Sequence, residues 1–186
     1  MPPFRLFTQA KGSGYFGVKR FDRLSGNRRL HMHTFANLIH SNFRVPSTDY
    51  EQLIQVTALL TRNPADVNRA FRRAVFNVAA HNRDDHAKNF AFLMDRDGSW
   101  TLSPAYDLIY SAGPAGEHTM TVAGEGQSPD RSHLLDLAQR IEIDGKSALE
   151  MIERVNAALM QVTSIARDAG CRRGTLATLR RAICPI

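Results

Sequence analysis

The sequence predicts an α+β fold that is mainly helical, and three observations predict it. Two short apolar patterns flank Lys11-Gly12-Ser13-Gly14 near the N-terminus, apolar residues recur at three and four from Val67 to Val78, and the chain after Pro129 carries helix signals throughout. At 186 residues and 43% hydrophobic content the chain suits one well-buried core, so residues 1–186 are expected to form a single domain. No repeat, low-complexity tract or composition shift marks a linker.

The elements follow in order. Phe4–Gln9 and Tyr15–Phe21 read as two strands, and the small residues at 12–14 permit the positive φ of a hairpin turn. A phosphate-cradling loop would need more glycines and a helix directly after them, and here a strand follows. A helix is expected over Thr34–His40. Another should begin at Thr48, where Thr48 and Glu51 have capping-box spacing ahead of Leu53, Ile54, Val56, Leu59 and Leu60.

Asn63-Pro64 starts the next helix, whose stripe of Val67, Ala70, Phe71, Ala74, Val75 and Val78 should be buried, with Arg69, Arg72 and Arg73 mostly off it. Phe90–Met94 and Trp100–Leu102 read as strands joined by the turn Asp95-Arg96-Asp97-Gly98. Residues 34–126 thus form a central core with one further strand at Thr119–Val122. Residues 129–186 form a helical tail: Pro129–Arg140, Lys146–Arg167 ended by Gly170, and Thr175–Ile183.

Composition narrows the function classes. No stretch approaches the ~20 apolar residues of a membrane span, and the N-terminus lacks a signal-peptide pattern, so no membrane partner and a cytoplasmic location are expected. Cys171 and Cys184 have neither disulfide-framework nor zinc-ligand spacing. A net charge of +6 suits a phosphate-bearing partner, yet the arginines fall in scattered pairs, Arg28-Arg29, Arg72-Arg73, Arg172-Arg173 and Arg180-Arg181, without the basic run of a nucleic-acid arm. A solvated face is the preferred reading of these pairs.

The polar run Asn82-Arg83-Asp84-Asp85-His86-Ala87-Lys88-Asn89 sits between a helix and a hairpin, and Asp107 follows the hairpin. Phosphoryl transfer needs a carboxylate to take the proton of the attacking hydroxyl and hard oxygen ligands to hold magnesium against the phosphates. Asp84, five before Asn89, is the candidate base, while Asn89 and Asp107 are the candidate metal ligands; Asp85 gives a spacing of four, against the five of kinases. His86 either contacts the transferred phosphate or braces the loop. Lys88 is a phosphate contact or a solvated side chain. A two-metal hydrolase built from Asp84, Asp107 and nearby histidines is disfavoured, because no His-x-x-x-His or paired-carboxylate spacing accompanies them and His31 and His33 read as surface or packing residues on a strand.

The run Phe76-Asn77-Val78-Ala79-Ala80-His81-Asn82-Arg83-Asp84-Asp85-His86-Ala87-Lys88-Asn89-Phe90-Ala91-Phe92-Leu93, with Leu102-Ser103-Pro104-Ala105-Tyr106-Asp107-Leu108, closely resembles the C-terminal domain of HipA-family serine/threonine kinases, the toxin halves of bacterial toxin–antitoxin pairs. Gly17-Val18-Lys19-Arg20-Phe21-Asp22-Arg23 resembles the family's strand leading into the hinge, so that residues 1–23 would be hairpin plus hinge strand. The resemblance implies a kinase-like C-lobe with ATP and Mg2+ as cofactors. It implies Asp84 as base, Asn89 and Asp107 on the metal, and Lys19, Arg20 and Phe21 against adenine. It also implies a protein substrate, including components of translation, and restraint by a HipB-like, DNA-binding antitoxin.

The family's N-terminal lobe, with its phosphate loop and lysine, has no counterpart in this sequence. A fragment, a split kinase whose N-lobe is a separate chain, and a decayed relative each fit that difference. A non-catalytic module touching antitoxin or operator DNA is the alternative reading of the whole.

Overall fold

The computed structural model describes residues 1–9, 14–41, 48–183 and 185–186. The expected turn at Lys11-Gly12-Ser13 and the residue Cys184 lie outside the described residues.

Strands β1 (Phe4–Phe7) and β2 (Tyr15–Val18) pair antiparallel, Phe4 opposite Val18. Their apolar side chains are exposed: Phe4, Leu6, Phe7, Tyr15, Phe16 and Val18 all face solvent. Phe4 and Phe16 meet with ring centroids 5.7 Å apart. A two-stranded ribbon with this much bare apolar surface is marginal on its own.

The centre of the molecule is a three-stranded antiparallel sheet in the order β3 (His31–Thr34), β5 (Ala91–Met94), β6 (Trp100–Leu102). The β5–β6 turn forms as expected: the Asp95 carboxylate accepts from the amides of Asp97 and Ser99, and Gly98 takes the left-handed φ of +80°. His31 and His33 stack on the outside of this sheet beside Trp100, which makes them packing residues.

Helix α1 is shorter than the sequence suggests, covering Phe35–Leu38 with Thr34 as its N-cap. Helix α2 (Tyr50–Thr61) begins two residues later than expected. Its capping box is Asp49 with Gln52, because Thr48 is held in a short parallel bridge, β4 (Thr48–Asp49) to β7 (Met120–Thr121). Leu59, expected inside, is 77% exposed, and Tyr50 and Thr57 complete the buried face instead.

Helix α3 (Pro64–Ala79) starts at Pro64 behind the Asn63 cap, as the sequence indicates. The core gathers Phe35, Tyr50, Leu53, Phe71, Phe92 and Ile152 among others. The helical tail comprises α4 (Arg131–Arg140), α5 (Gly145–Leu159), α6 (Val162–Asp168) and α7 (Arg173–Ala182). The single long helix expected over 146–167 is broken between α5 and α6 at Met160-Gln161. Gly170, at φ +78°, then ends α6: its amide and that of Cys171 close onto the Arg167 and Ala166 carbonyls.

Candidate kinase-type active site

Helix α3 builds the site from two sides. Asp66, Ala70, Arg73 and Asn77 recur at four, three and four, so they share one stripe of the helix. Asp66, fully buried, accepts from the Leu102 amide at 3.1 Å and from Arg69. Arg73, expected off the buried stripe, donates to the Ser103 carbonyl, and burial pulls its pKa down to about 10. These contacts seat the end of β6 and the start of the segment that leads to Asp107. Asn77, at the far end of the stripe, holds the polar loop.

That loop begins at His81, where a positive φ of +49° turns the chain sharply out of α3. The His81 carbonyl accepts from the Ser111 amide at 3.0 Å, and Asn82 bridges to Ser111 in parallel register. Burial, with Arg83 and His118 nearby, lowers the pKa of the His81 imidazole, so the ring is neutral at pH 7. Gly113 is required beside this loop: a Cβ there would lie 2.2 Å from the Glu117 carbonyl and 2.7 Å from Cβ of Arg83.

The two adjacent aspartates have opposite environments. Asp85 is 1% exposed and both of its oxygens are engaged. Oδ2 accepts from the Tyr50 hydroxyl at 2.8 Å and lies 3.0 Å from Nδ1 of His118, while Oδ1 accepts from the Thr119 amide at 2.8 Å. The network continues inward, Asn77 donating to the Tyr50 oxygen at 2.7 Å and Asn82 to Asn77 at 3.0 Å. Burial, with the Asp85 charge second, pushes the Tyr50 hydroxyl far above its ordinary pKa, so it remains a donor.

Asp84 points the other way. Its side chain is 39% exposed, and its Oδ1 lies 2.9 Å from Nε2 of His86. Asn89, in a 3₁₀ turn over Ala87–Asn89, donates its amide nitrogen to the Asp84 carbonyl at 2.9 Å. That bond leaves the Asn89 oxygen, the hard donor a magnesium ion takes, as the group the side chain can offer. His86 therefore braces Asp84 directly, and the 3₁₀ turn couples the candidate base to the candidate metal ligand.

Asp107 is exposed, at φ +53°, and shares with Asn89 the lining of one small cavity that also includes Arg73, Asn82 and Tyr106. Tyr106, whose hydroxyl burial pushes to about 12, donates to the Lys88 carbonyl at 2.9 Å and so ties the Asp107 segment to the loop. The Tyr106 ring also meets Phe21 at 5.7 Å. Phe21, one of the three residues whose main chain is expected against adenine, thus lies at this end of the molecule. The Lys19 amide is taken by the Pro3 carbonyl, and the Arg20 guanidinium grips Asp22. The Lys88 side chain is exposed beside the Asn89 turn.

The donor set fits a magnesium ion shared with nucleotide phosphates, which asks the protein for two oxygen ligands. Among the described residues no three His, Cys, Asp or Glu side chains form a metal-holding group.

Sequence reasoning chose Asp84 over Asp85 by spacing alone and missed what Asp85 does. Tyr50, Asn77, Asn82, His118 and Thr119 were also missed. A signal existed for Asn77, a polar residue set among the buried apolar positions of α3. None existed for His118, which lies 33 residues from its partner.

A helix-delivered polar loop with an exposed aspartate, an asparagine five residues on and a second aspartate beyond a hairpin defines the C-lobe architecture of a kinase-type fold. The chain belongs to the HipA-like C-terminal domain family, which matches it over residues 1–163. Two Sinorhizobium fredii (strain NBRC 101917 / NGR234) proteins are similar to it. "Putative kinase Y4dM" is 30% identical over 152 residues, spanning 75% of this chain and 36% of that protein. "Putative kinase Y4mE" is 28% identical over 113 residues, spanning 54% and 26%. HipA of Shewanella oneidensis MR-1, solved in complex with HipB and its operator DNA, shares the fold at a TM-score of 0.68 and 19% identity; the match covers 100% of this chain and 47% of that one. The chain therefore spans about a third of the first curated relative and about half of the solved one. No helix among the described residues is long and apolar enough to cross a membrane.

Proposed function

We propose that this chain is the C-terminal lobe of a HipA-like serine/threonine protein kinase that transfers the γ-phosphoryl group of ATP to a protein hydroxyl, as the toxin component of a type II toxin–antitoxin pair. The observation that carries this reading is the opposed pair of aspartates: Asp85 is locked into the core, and Asp84 is presented at the surface, with its carbonyl bonded to the Asn89 side chain. In the reaction the substrate hydroxyl oxygen bonds to the γ-phosphorus, the bond from that phosphorus to the bridging oxygen breaks, ADP departs, and the hydroxyl proton passes to Asp84. His86 holds the Asp84 carboxylate in place. Asn89 Oδ1 and the Asp107 carboxylate would hold magnesium, which when bound neutralises charge on the phosphates.

A lobe that grips the phosphates from the other side completes such a site. The exposed apolar hairpin β1–β2, next to the Phe21 and Tyr106 contact, supports an N-lobe packing there, whether on a separate chain or in a longer protein. A HipB-like antitoxin is the proposed restraining partner, and the protein substrate is of the class the family phosphorylates. The test is transfer of radiolabel from γ-labelled ATP to protein by this chain combined with an N-lobe polypeptide. Transfer that depends on magnesium and disappears in Asp84→Asn is expected; transfer of equal rate in Asp84→Asn would refute the assignment of the base.

A further inference from the structure

The register of the central sheet places an unusual row of side chains at its rim. His31 stands opposite Met94, and Met94 opposite Trp100, so all three rise from one face across β3, β5 and β6. The next row on that face, His33, Phe92 and Leu102, leads inward: Phe92 and Leu102 are buried in the core, and His33 is half-buried. In the outer row His31 is exposed, while Met94 and Trp100 are half-buried. The His31 and Trp100 rings meet edge to face with centroids 5.5 Å apart, although a whole strand separates their backbones, so they close over the Met94 position.

Packing engages the ring faces of this group and leaves its donor atoms unused. His31 and His33 stack at 6.0 Å with planes 18° apart. Among the described residues none of their ring nitrogens takes a hydrogen bond or lies against a carboxylate. Residues i and i+2 of a strand project side by side, about 6.6 Å apart. Turning both rings edge-on about the broad χ2 torsion brings one nitrogen of each within the ~4 Å that two ~2 Å bonds to a single ion span.

We propose that His31, His33 and Met94 form a site for a soft monovalent cation, copper(I), capped by the indole of Trp100. Three properties select that ion. Two imidazoles and a thioether are a neutral donor set, and soft thioether ligands select Cu(I). No third His, Cys, Asp or Glu among the described residues joins the pair, as the closed tetrahedral set of a structural zinc would require. Neutral ligands leave the charge on the ion, and the face of an indole, the best of the aromatic rings for this, attracts it. The hard donor Asn89 precedes the opposite end of β5, ~10 Å of strand away, so the two metal chemistries occupy separate places.

The test is an anaerobic titration of the untagged chain with Cu(I), buffered by a chromophoric chelator. It is made in a Cys171→Ser, Cys184→Ser background, because Cys171 is an exposed thiol that would compete. Trp100 is the single tryptophan and reports on its own site. We expect one equivalent to bind and to quench Trp100 emission. His31→Gln and the volume-conserving Met94→Leu should each weaken binding at least ~10-fold, what losing even an outer partner of a metal costs, with the metal-free melting temperature almost unchanged. Absence of binding, equal affinity in His31→Gln, or binding that leaves Trp100 emission unchanged would each overturn the proposal. A lowered melting temperature with undiminished affinity would leave packing as the whole role of the group. Tighter binding of zinc than of Cu(I) would overturn the choice of ion. Asp107→Asn should not alter Cu(I) binding, so this site and the kinase reading stand or fail separately.

Discussion

The Asp85 carboxylate lies 3.0 Å from Nδ1 of His118, with both side chains sealed from solvent, while its neighbour Asp84 is open to it. The peptide bond between them separates a buried carboxylate from an open one. Asp85→Ala would leave Tyr50, His118 and the Thr119 amide without their acceptor, and breaking a buried charged cluster of this kind costs ~3–5 kcal/mol. Asp84→Asn should change stability by no more than ~0.5 kcal/mol, as for other surface substitutions. Urea denaturation of the two variants checks the contrast, and similar losses in both would show that Asp84 is also structural.

Tyr50 joins α2 to the loop through a single oxygen, which donates to Asp85 and accepts from Asn77. Tyr50→Phe keeps the packed ring and removes both bonds. The expected loss is ~1–3 kcal/mol, the cost of leaving buried polar groups unsatisfied, read from the urea midpoint with an unchanged slope.

Stability should fall in acid partly through Asp130, the N-cap of α4. Hydrogen bonds from Ser132 and His133 hold its carboxyl far below the usual carboxylate range. A depressed folded-state pKa means that the stabilisation is present above the unfolded value, ~4, and is lost as pH falls through and below it. Asp130→Ala should therefore melt below the parent protein at pH 7. The gap should narrow steadily as pH is lowered from ~4, and melting curves across that range would show it.

Bare apolar surface on β1–β2 predicts self-association of the isolated chain. Phe4→Ser with Phe16→Ser should lower light scattering at high concentration and leave the melting temperature almost unchanged, because both rings are more than half exposed. A large drop in melting temperature would place the hairpin in the core of this lobe instead.

Much of the fold was legible because its signals are local. Asn63-Pro64 marks the start of α3, the turn at Asp95–Gly98 sets β5 against β6, and the spacing from Asp84 to Asn89 picks out the exposed aspartate. What stayed hidden depends on distant contacts. Thr48 looks like a cap until the Met120 segment claims it for a strand pair, and Arg73 looks like a surface residue until Ser103 meets it. The stripe Asp66, Arg73 and Asn77 was visible as polar residues at helical spacing, and only their partners on the β6 and Asp107 side give it meaning. The break between α5 and α6 follows no proline or glycine, so periodicity alone ran through it.

The most direct test of the central claim is calorimetric titration of magnesium and ATP into this chain, alone and combined with an N-lobe polypeptide. The account predicts ATP binding that requires magnesium, is strengthened by the N-lobe, and is lost in Asp107→Asn while the melting temperature stays the same. Absence of binding in both preparations, or magnesium-dependent binding that Asp107→Asn leaves intact, would contradict it.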